Sequence, residues 1–407
     1  MKTRWLILAL AFAMGSPAEA QPNKQILDRA ERQQADALKL WERLVNIDSG
    51  TGNEEGLRDV GAIAADELKR LGAAVELVPA LKPAVGDNVV AVLNGTGKGK
   101  ILLMAHMDTV FAKGTAAARP FRVDGTRAYG PGVSDDKGGI VAIVGVLKIL
   151  RGLNFKDYAR ITILLNSNEE TGSRGTRALI EKLAKEHDVA LNLESGREPD
   201  GLVIRRKGSA RLTIEVKGRA SHAGGSPEQG RNAAMELAHQ VMQIAKLGNP
   251  DKQTTVNVTV LQSGDRANII PDLATAQADV RALVTDEFDR VEREAAALAK
   301  NNKLIPDTVV TTTLNRGFPV MDRNPETDRL AAMAQSIYAE IGRTLRLESS
   351  GGAADSSLSA GVFTPSLDGL GLIGANAHTD REYADVSSIV PRFYLLTRMM
   401  MELGKGK

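Results

Sequence analysis

This chain of 407 residues contains five histidines and no cysteine. Any metal it binds must therefore be held by imidazole nitrogen and carboxylate oxygen, and thiolate nucleophiles, disulfides and Cys-type zinc sites are excluded. His106 follows an apolar run at 101–104 and has Asp108 two residues on, so one carboxylate can orient the imidazole and set its tautomer. A lone His-x-Asp is equally what an aspartate-capped loop histidine looks like. The segment Gly130-Pro131-Gly132-Val133-Ser134-Asp135-Asp136-Lys137-Gly138-Gly139 is a tight polar loop feeding an apolar helix. Helix capping explains one of its adjacent aspartates well and the second less well. Glu169-Glu170 follows another apolar run, and Glu194 ends the run at 189–193.

Each of these acids alone could be a solvated loop residue. Together, His106, Glu169, Glu170 and Glu194 fall just past the carboxyl ends of strands that read as parallel, where open α/β sheets place their sites. Carboxylates brought that close either share protons or surround a cation. Nitrogen and oxygen ligands without sulfur favour zinc, with manganese or cobalt as substitutes. His378, in Asn376-Ala377-His378-Thr379-Asp380, follows a further apolar stretch and could complete the set. His187 and His239 read as ordinary helix residues.

The elements that must position these residues are legible from hydrophobic periodicity. Helical spacing over 24–71 predicts two helices, and short apolar runs at 74–78, 88–93 and 101–104 predict strands. A helix at 138–150, a strand at 161–165, a helix at 176–185 and a strand at 189–193 follow. Strands alternating with helices imply an α/β fold with a doubly wound, mostly parallel sheet. The middle of the chain changes rhythm, with strands at 210–216, 254–261, 273–283 and 308–314 and helices at 232–247 and 287–300. That β-α-β-β-α-β order is ferredoxin-like. Long amphipathic helices return at 330–341 and 391–403, so the expected divisions are 21–206 and 318–407 for a catalytic domain interrupted by an insert at 207–317.

Lys+Arg 52 against Asp+Glu 50 gives a formal net charge of +2, which argues against nucleic acid as a partner. Lys2 and Arg4, the apolar run at 5–14 and Ala18-Glu19-Ala20 form a cleavable secretory signal at 1–20, implying a periplasmic or secreted protein without stable membrane association. Two glycine-rich stretches fail their context. Gly369-Leu370-Gly371-Leu372-Ile373-Gly374 has dinucleotide spacing but opens no helix, and Gly95-Thr96-Gly97-Lys98-Gly99-Lys100 lacks phosphate-loop spacing and reads as a hairpin turn.

His106-Met107-Asp108-Thr109-Val110, the Gly-x-Gly-x-x-Asp-x-Lys-Gly-Gly pattern at 130–139, Glu169-Glu170, Glu194 and His378 resemble, in that order, the dinuclear zinc aminoacylase/carboxypeptidase family of metallopeptidases. The resemblance spans nearly the whole mature chain and is nearest to the bacterial glutamate carboxypeptidases that cut folates. It implies two Zn2+ per subunit, one on His106 and Glu194, the other on Glu170 and His378, with Asp135 bridging and Asp136 not a ligand. It further implies attack by a metal-bridging hydroxide, Glu169 as general base and Asp108 behind His106. The insert becomes a dimerisation (lid) domain of a homodimer. In it, His222 of Ser221-His222-Ala223-Gly224 stabilises the oxyanion in the partner's site, while Asn268 and Arg281 bind substrate. Arg281 offers a planar fork suited to a carboxylate. The loop Ser350-Gly351-Gly352-Ala353-Ala354-Asp355 resembles the family's pocket-lining stretch, although a flexible turn would look the same.

The implied activity is release of a C-terminal amino acid, glutamate first, from N-acyl or folate-like substrates with a free carboxylate. One departure bears on the leaving group. Leu202 and Phe318 stand where the folate-cutting relatives carry basic residues, replacing charge with apolar surface. Arg205, Arg206, Lys207 and Arg316 are near in sequence, but a slip of one residue on a strand reverses its face. An aminoacylase or dipeptidase with an apolar or aromatic leaving residue is therefore the alternative reading. A non-catalytic exported binding protein would have no use for Glu169, and a purely structural dimer module would leave the five ligand-type residues unexplained.

Overall fold

The computed structural model describes residues 21–406, so the expected signal at 1–20 lies outside the described residues. The helix Lys24–Val45 opens on Asn23, whose side chain accepts from the Ile26 amide, and buries Ile26, Ala30, Ala37, Leu40, Trp41, Leu44 and Val45 along one stripe. The helix Glu54–Arg70 is capped by Asn53, with acids in its first turn and Lys69 and Arg70 in its last, matching the helix dipole. Lys137–Gly152 is apolar nearly all round because it is enclosed between the strand Lys100–His106 and the helices Lys24–Val45 and Ile389–Gly404.

Among the described residues, a six-stranded sheet runs in the order Ala74–Pro79, Asp87–Asn94, Arg160–Asn166, Lys100–His106, Val189–Asn192, Ser366–Leu367. Only Asp87–Asn94 runs against the rest. Lys100–His106 and Arg160–Asn166 are buried beyond their first residues, as a parallel sheet covered on both faces requires. Register sets His106 beside Asn166 and Met104 beside Asn192, so the segments that follow these three strands emerge at one edge. The turn at 95–99 is not a hairpin: the strands on either side of it both pair with Arg160–Asn166, which lies between them.

The insert forms its own four-stranded antiparallel sheet in the order Thr255–Ser263, Leu273–Ala282, Gly208–Lys217, Val309–Arg316. Its separate core includes Leu212, Ile214, Val216, Leu237, Phe288 and Val291. That strand order is the ferredoxin-like one. Several short elements escape the periodicity analysis because they hold too few residues to show a period. They are the parallel pair Gly201–Arg206 with Arg346–Ser350, the strands Arg122–Asp124, Arg127–Tyr129, Gly374–Ala375 and Tyr383–Asp385, and the helix Asp355–Gly361. No helix among the described residues is long and apolar enough to cross a membrane.

One expectation changes with the strand Gly201–Arg206. Leu202 is fully buried in the main core together with Ile204, so it lines no pocket and its apolar character is a packing matter. Leu202→Lys would place an ammonium group in that core, and a loss of about 3–5 kcal/mol is expected, read as a lowered thermal unfolding midpoint. An unchanged midpoint would show that the position faces solvent after all. His187 lies just past the helix Arg177–Lys185 and is buried, with its ring nitrogens at 2.6 Å from the Leu183 carbonyl and 2.8 Å from the Thr162 hydroxyl. His239 is within the helix Ala233–Ile244, 3.1 Å from the Asn302 carbonyl.

Candidate active site

Of the five ligand-type residues, His106, Glu170 and Glu194 arrive on the sheet edge, Asp135 from the loop before the helix Lys137–Gly152 and His378 from the late loop. His106 ends its strand, Glu169 and Glu170 form the turn after Asn166, and Glu194 follows Asn192. His378 is brought in by the loop before Tyr383–Asp385 and adopts a left-handed backbone, φ 64°. Asp135 and Asp136 divide their duties as the capping argument anticipates. Asp136 caps the helix Lys137–Gly152 through the Gly139 amide and also accepts from the His106 amide at 3.3 Å. Asp135 points to the histidines.

Its two oxygens serve two triads. Asp135 Oδ1 lies 2.8 Å from His106 Nε2, which is 3.6 Å from Glu194 Oε1. Asp135 Oδ2 lies 3.1 Å from His378 Nε2, itself 3.0 Å from Glu170 Oε2. In each triad the ligand atoms fall within 4.8 Å of one another, a spacing that one divalent cation could gather. Glu170 Oε1 is buried and has no hydrogen-bond partner, which a cation would relieve.

Asp108 organises the edge more widely than a simple partner for His106. Its carbonyl lies 2.9 Å from His106 Nδ1, leaving Nε2 for the Asp135 side. Its carboxylate accepts from the Glu169 amide (3.0 Å), the Glu170 amide (3.1 Å) and the Thr51 hydroxyl (2.6 Å). One residue, through its main-chain carbonyl and its carboxylate, thus sets both an imidazole and the Glu169–Glu170 turn.

The protonation pattern is that of a cation site holding protons. Burial pushes the His106 pKa down, but hydrogen bonds to Asp108 and Asp135 and the charges of Asp135 and Glu194 outweigh it and hold it well above the usual imidazole range. Hydrogen bonds to Asp135 and Glu170 push His378 up to about 10. Burial, then the charge of Asp135, pushes Glu194 up to about 8. Burial also raises Glu169 well above the carboxylate range, aided by the charges of Glu194, Asp355 and Glu170. Acids packed this closely keep protons until a cation replaces them.

Three groups around the site were given no role by the sequence, although Lys137 and Asp355 fall within quoted motifs. Glu382 is buried and accepts from the amides of Gly132 (2.9 Å), Ser134 (2.8 Å) and Asp135 (3.0 Å), clamping the loop that carries Asp135 to the segment that carries His378. Asp355 receives Asn166 Nδ2 at 2.7 Å and the Ser173 hydroxyl, steadying both ends of the glutamate turn. Lys137 is fully buried on the Ile47 carbonyl at 2.8 Å, and burial pushes its pKa down to about 7. A buried loop acid is indistinguishable by type from an exposed one, since only its backbone partners reveal it. Glu382→Gln sets an amide N–H against a backbone donor, and about 1–3 kcal/mol is expected to be lost in the metal-free protein, measured by thermal unfolding. No change would show that the clamp is not under tension from these amides.

The residues expected to contact substrate belong to neither triad. His222 is exposed on the short pair Ser221–His222 with Ile269–Ile270, and its Nδ1 accepts from the amides of Gly224 (3.1 Å) and Gly225 (2.9 Å). Asn268 is exposed beside it, its carbonyl accepting from the Ala223 amide at 2.9 Å. Arg281 lies on the insert's sheet with Nε at 3.0 Å from Asp279. Gly351 and Gly352 are exposed in the loop after Arg346–Ser350. Phe318 is half-buried and comes within 3.8 Å of where a Gly172 Cβ would stand, with Arg177 stacked 5.6 Å from its ring. The glycines at 369–374 serve packing: a Cβ on Gly371 would sit 2.2 Å from the Leu193 carbonyl oxygen, immediately before Glu194.

Comparison with known proteins agrees with this geometry. Residues 102–402 match peptidase family M20/M25/M40. The chain is 38% identical over 404 residues to carboxypeptidase G2 of Pseudomonas sp. (strain RS-16), covering 98% of this chain and 97% of the relative. Its fold is similar to aminopeptidase PepT from Bacillus cereus, with TM-score 0.77, 22% identity and coverage of 91% and 98%. It is also similar to the M20 family metallo-carboxypeptidase Sso-CP2 from Sulfolobus solfataricus, with TM-score 0.67, 15% identity and coverage of 92% and 100%. With the family matched over most of the chain and a relative aligned almost end to end, this protein belongs to peptidase family M20/M25/M40 and is a metallopeptidase.

Proposed function

We propose that the protein is a dinuclear zinc exopeptidase that releases a C-terminal amino acid, glutamate first, from N-acyl or folate-like substrates. The observation that carries this reading is the pair of triads sharing Asp135, with Glu169 on the adjoining turn. Zinc bound there would polarise the scissile carbonyl and acidify water, with manganese or cobalt as substitutes. His106 and Glu194 would hold one ion, Glu170 and His378 the other, and Asp135 both. Glu169 takes the proton of the attacking water and returns it to the leaving amine. Asp108 keeps His106 and the Glu169–Glu170 turn in place for that transfer.

His222 is supported as an oxyanion donor by its own hydrogen bonds. With Nδ1 accepting two backbone amides, the ring proton resides on Nε2, which then faces outward as a donor. Asn268 beside it and Arg281 would bind substrate, with Gly351 and Gly352 lining the pocket. Action on a partner's site requires a homodimer. The edge strand Thr255–Ser263 exposes Val260 and Leu261, and the helix Ala233–Ile244 exposes Met235 and Met242, an apolar face suited to two-fold pairing. Export to the periplasm or medium completes the proposal and rests on the sequence at 1–20.

A second reading is favoured by Phe318, whose ring sits beside the glutamate turn and would suit an aromatic leaving group. Release of amino acid from N-acyl-glutamate and N-acyl-phenylalanine, with chelator and with added zinc, separates the two. Faster metal-dependent glutamate release is expected. Faster phenylalanine release would move the substrate to apolar conjugates, and no release from either would overturn the exopeptidase reading.

A further inference from the structure

The loss of basic character at Leu202 and Phe318 leaves open which cation, if any, reads an acidic leaving group. Of the basic residues near them in sequence, Arg205 is engaged with Asp322 at 3.1 Å, and Arg316 with Asp289 at 2.6 Å, both on the surface. Arg206 differs. It ends the strand Gly201–Arg206, two residues beyond Ile204 and past an irregularity in the pairing with Arg346–Ser350, and its side chain is 4% exposed. Its Nε donates to Asp368 Oδ2 at 2.6 Å, and Asp368 is in turn fixed by Asn192 Nδ2 at 3.1 Å and by the Ser356 hydroxyl. Nη1 makes only long contacts, 3.2 Å to the Gly352 carbonyl and 3.4 Å to the Ser350 hydroxyl, beneath the exposed loop at 351–352. Nη2 is buried with no partner at all.

A guanidinium with an unfilled donor in a dry site is costly unless something completes it, because a buried donor without an acceptor forfeits the hydration it had in water. Asn192, which holds Asp368, stands two residues before Glu194 at the end of the strand Val189–Asn192, so the Arg206–Asp368 pair is tied to the edge that presents Glu194. The Gly351 position opens to free space, with nothing within 4 Å of a built Cβ, so the loop above Arg206 borders solvent. Asp368 takes the Nε edge and leaves the terminal edge of the fork for a second carboxylate.

Resting on the exopeptidase reading, we propose that Arg206 is the specificity-determining residue for the leaving group, receiving the side-chain carboxylate of an acidic amino acid on its Nη2 edge. A cation is thereby supplied from the end of the strand whose Leu202 is committed to the core. A site built to pair a buried cation with a carboxylate rejects the isosteric amide strongly, because the amide leaves that cation unpaired.

The test is kcat/KM for N-benzoyl-glutamate and N-benzoyl-glutamine on the zinc-loaded enzyme and on Arg206→Met and Arg206→Lys, together with calorimetric binding of free glutamate and glutamine. The wild type is expected to favour glutamate by about 10²-fold, and Arg206→Met to lower the glutamate value about 10²-fold more than the glutamine value. Arg206→Lys, which keeps the charge but not the fork, should retain an intermediate ratio and carries the test if Arg206→Met does not fold. Equal loss on both substrates, or a wild type indifferent to the change from acid to amide, would overturn the assignment. If neither substrate is turned over, the exopeptidase reading fails on its own. Binding still decides Arg206, since glutamate must bind at least about tenfold more tightly than glutamine in the wild type and lose that margin in the variants.

Discussion

Glu169→Gln is expected to keep its metals and lose about 10²–10⁴-fold in kcat, the usual contribution of a general acid–base group. The amide matches the carboxylate in size, so the turn anchored by the Asp108 carboxylate should persist, since that anchor binds the main-chain amides of 169 and 170 and not the substituted side chain. What disappears is the only function the side chain of Glu169 has outside the triads, carrying a proton. Burial and three neighbouring acids already raise its proton affinity, as a group that must both take and return a proton needs. Metal content by elemental analysis and kcat at saturating zinc are the two readouts. Unaltered activity in a variant with full metal would remove Glu169 from the role of base, whereas metal loss would make it a ligand.

Removing the metals is expected to abolish turnover, with activity returning on addition of zinc, and the affinity should depend steeply on pH. In the metal-free protein, His378 at about 10 and Glu194 at about 8 hold protons at neutral pH. A dication must expel these protons, so binding strengthens as pH rises and weakens as it falls, by about tenfold per pH unit for each proton displaced. Competition titrations with a zinc chelator at several values between pH 6 and 8 should therefore span on the order of a hundredfold or more. Zinc present at a hundredfold excess over its dissociation constant should also stabilise the fold by about 2.7 kcal/mol. Asp135→Asn should weaken both ions at once, because each triad uses one of its oxygens. Affinity that ignores pH, or an Asp135→Asn protein with one site intact, would contradict the shared-ligand arrangement.

Part of the candidate metal site was legible in the sequence for a physical reason. Parallel strands buried on both faces read as unbroken apolar runs, and their carboxyl ends lie at one edge whatever the details of packing. Hence His106, Glu170 and Glu194 could be placed at one edge from the sequence, and capping could account for one of the aspartates 135 and 136 but less well for both, the structure giving that duty to Asp136. The ferredoxin-like insert was equally visible, because its strands and helices are long enough to display their periods.

Tertiary structure alone decided the rest. Leu202 and Arg206 lie on one six-residue strand, yet one is packed in the core and the other is paired with Asp368 beneath the loop at 351–352, past an irregularity in the pairing with Arg346–Ser350. Glu382, Asp355 and Lys137 are loop or helix-start residues by type, and only the backbone amides and carbonyls that close around them make them structural. Residue type and spacing determine which groups can bind a cation and which strand ends present them. The burial of a single charged side chain depends on partners more than a hundred residues away in sequence, as Arg206 and Asp368 illustrate, and no local pattern encodes it.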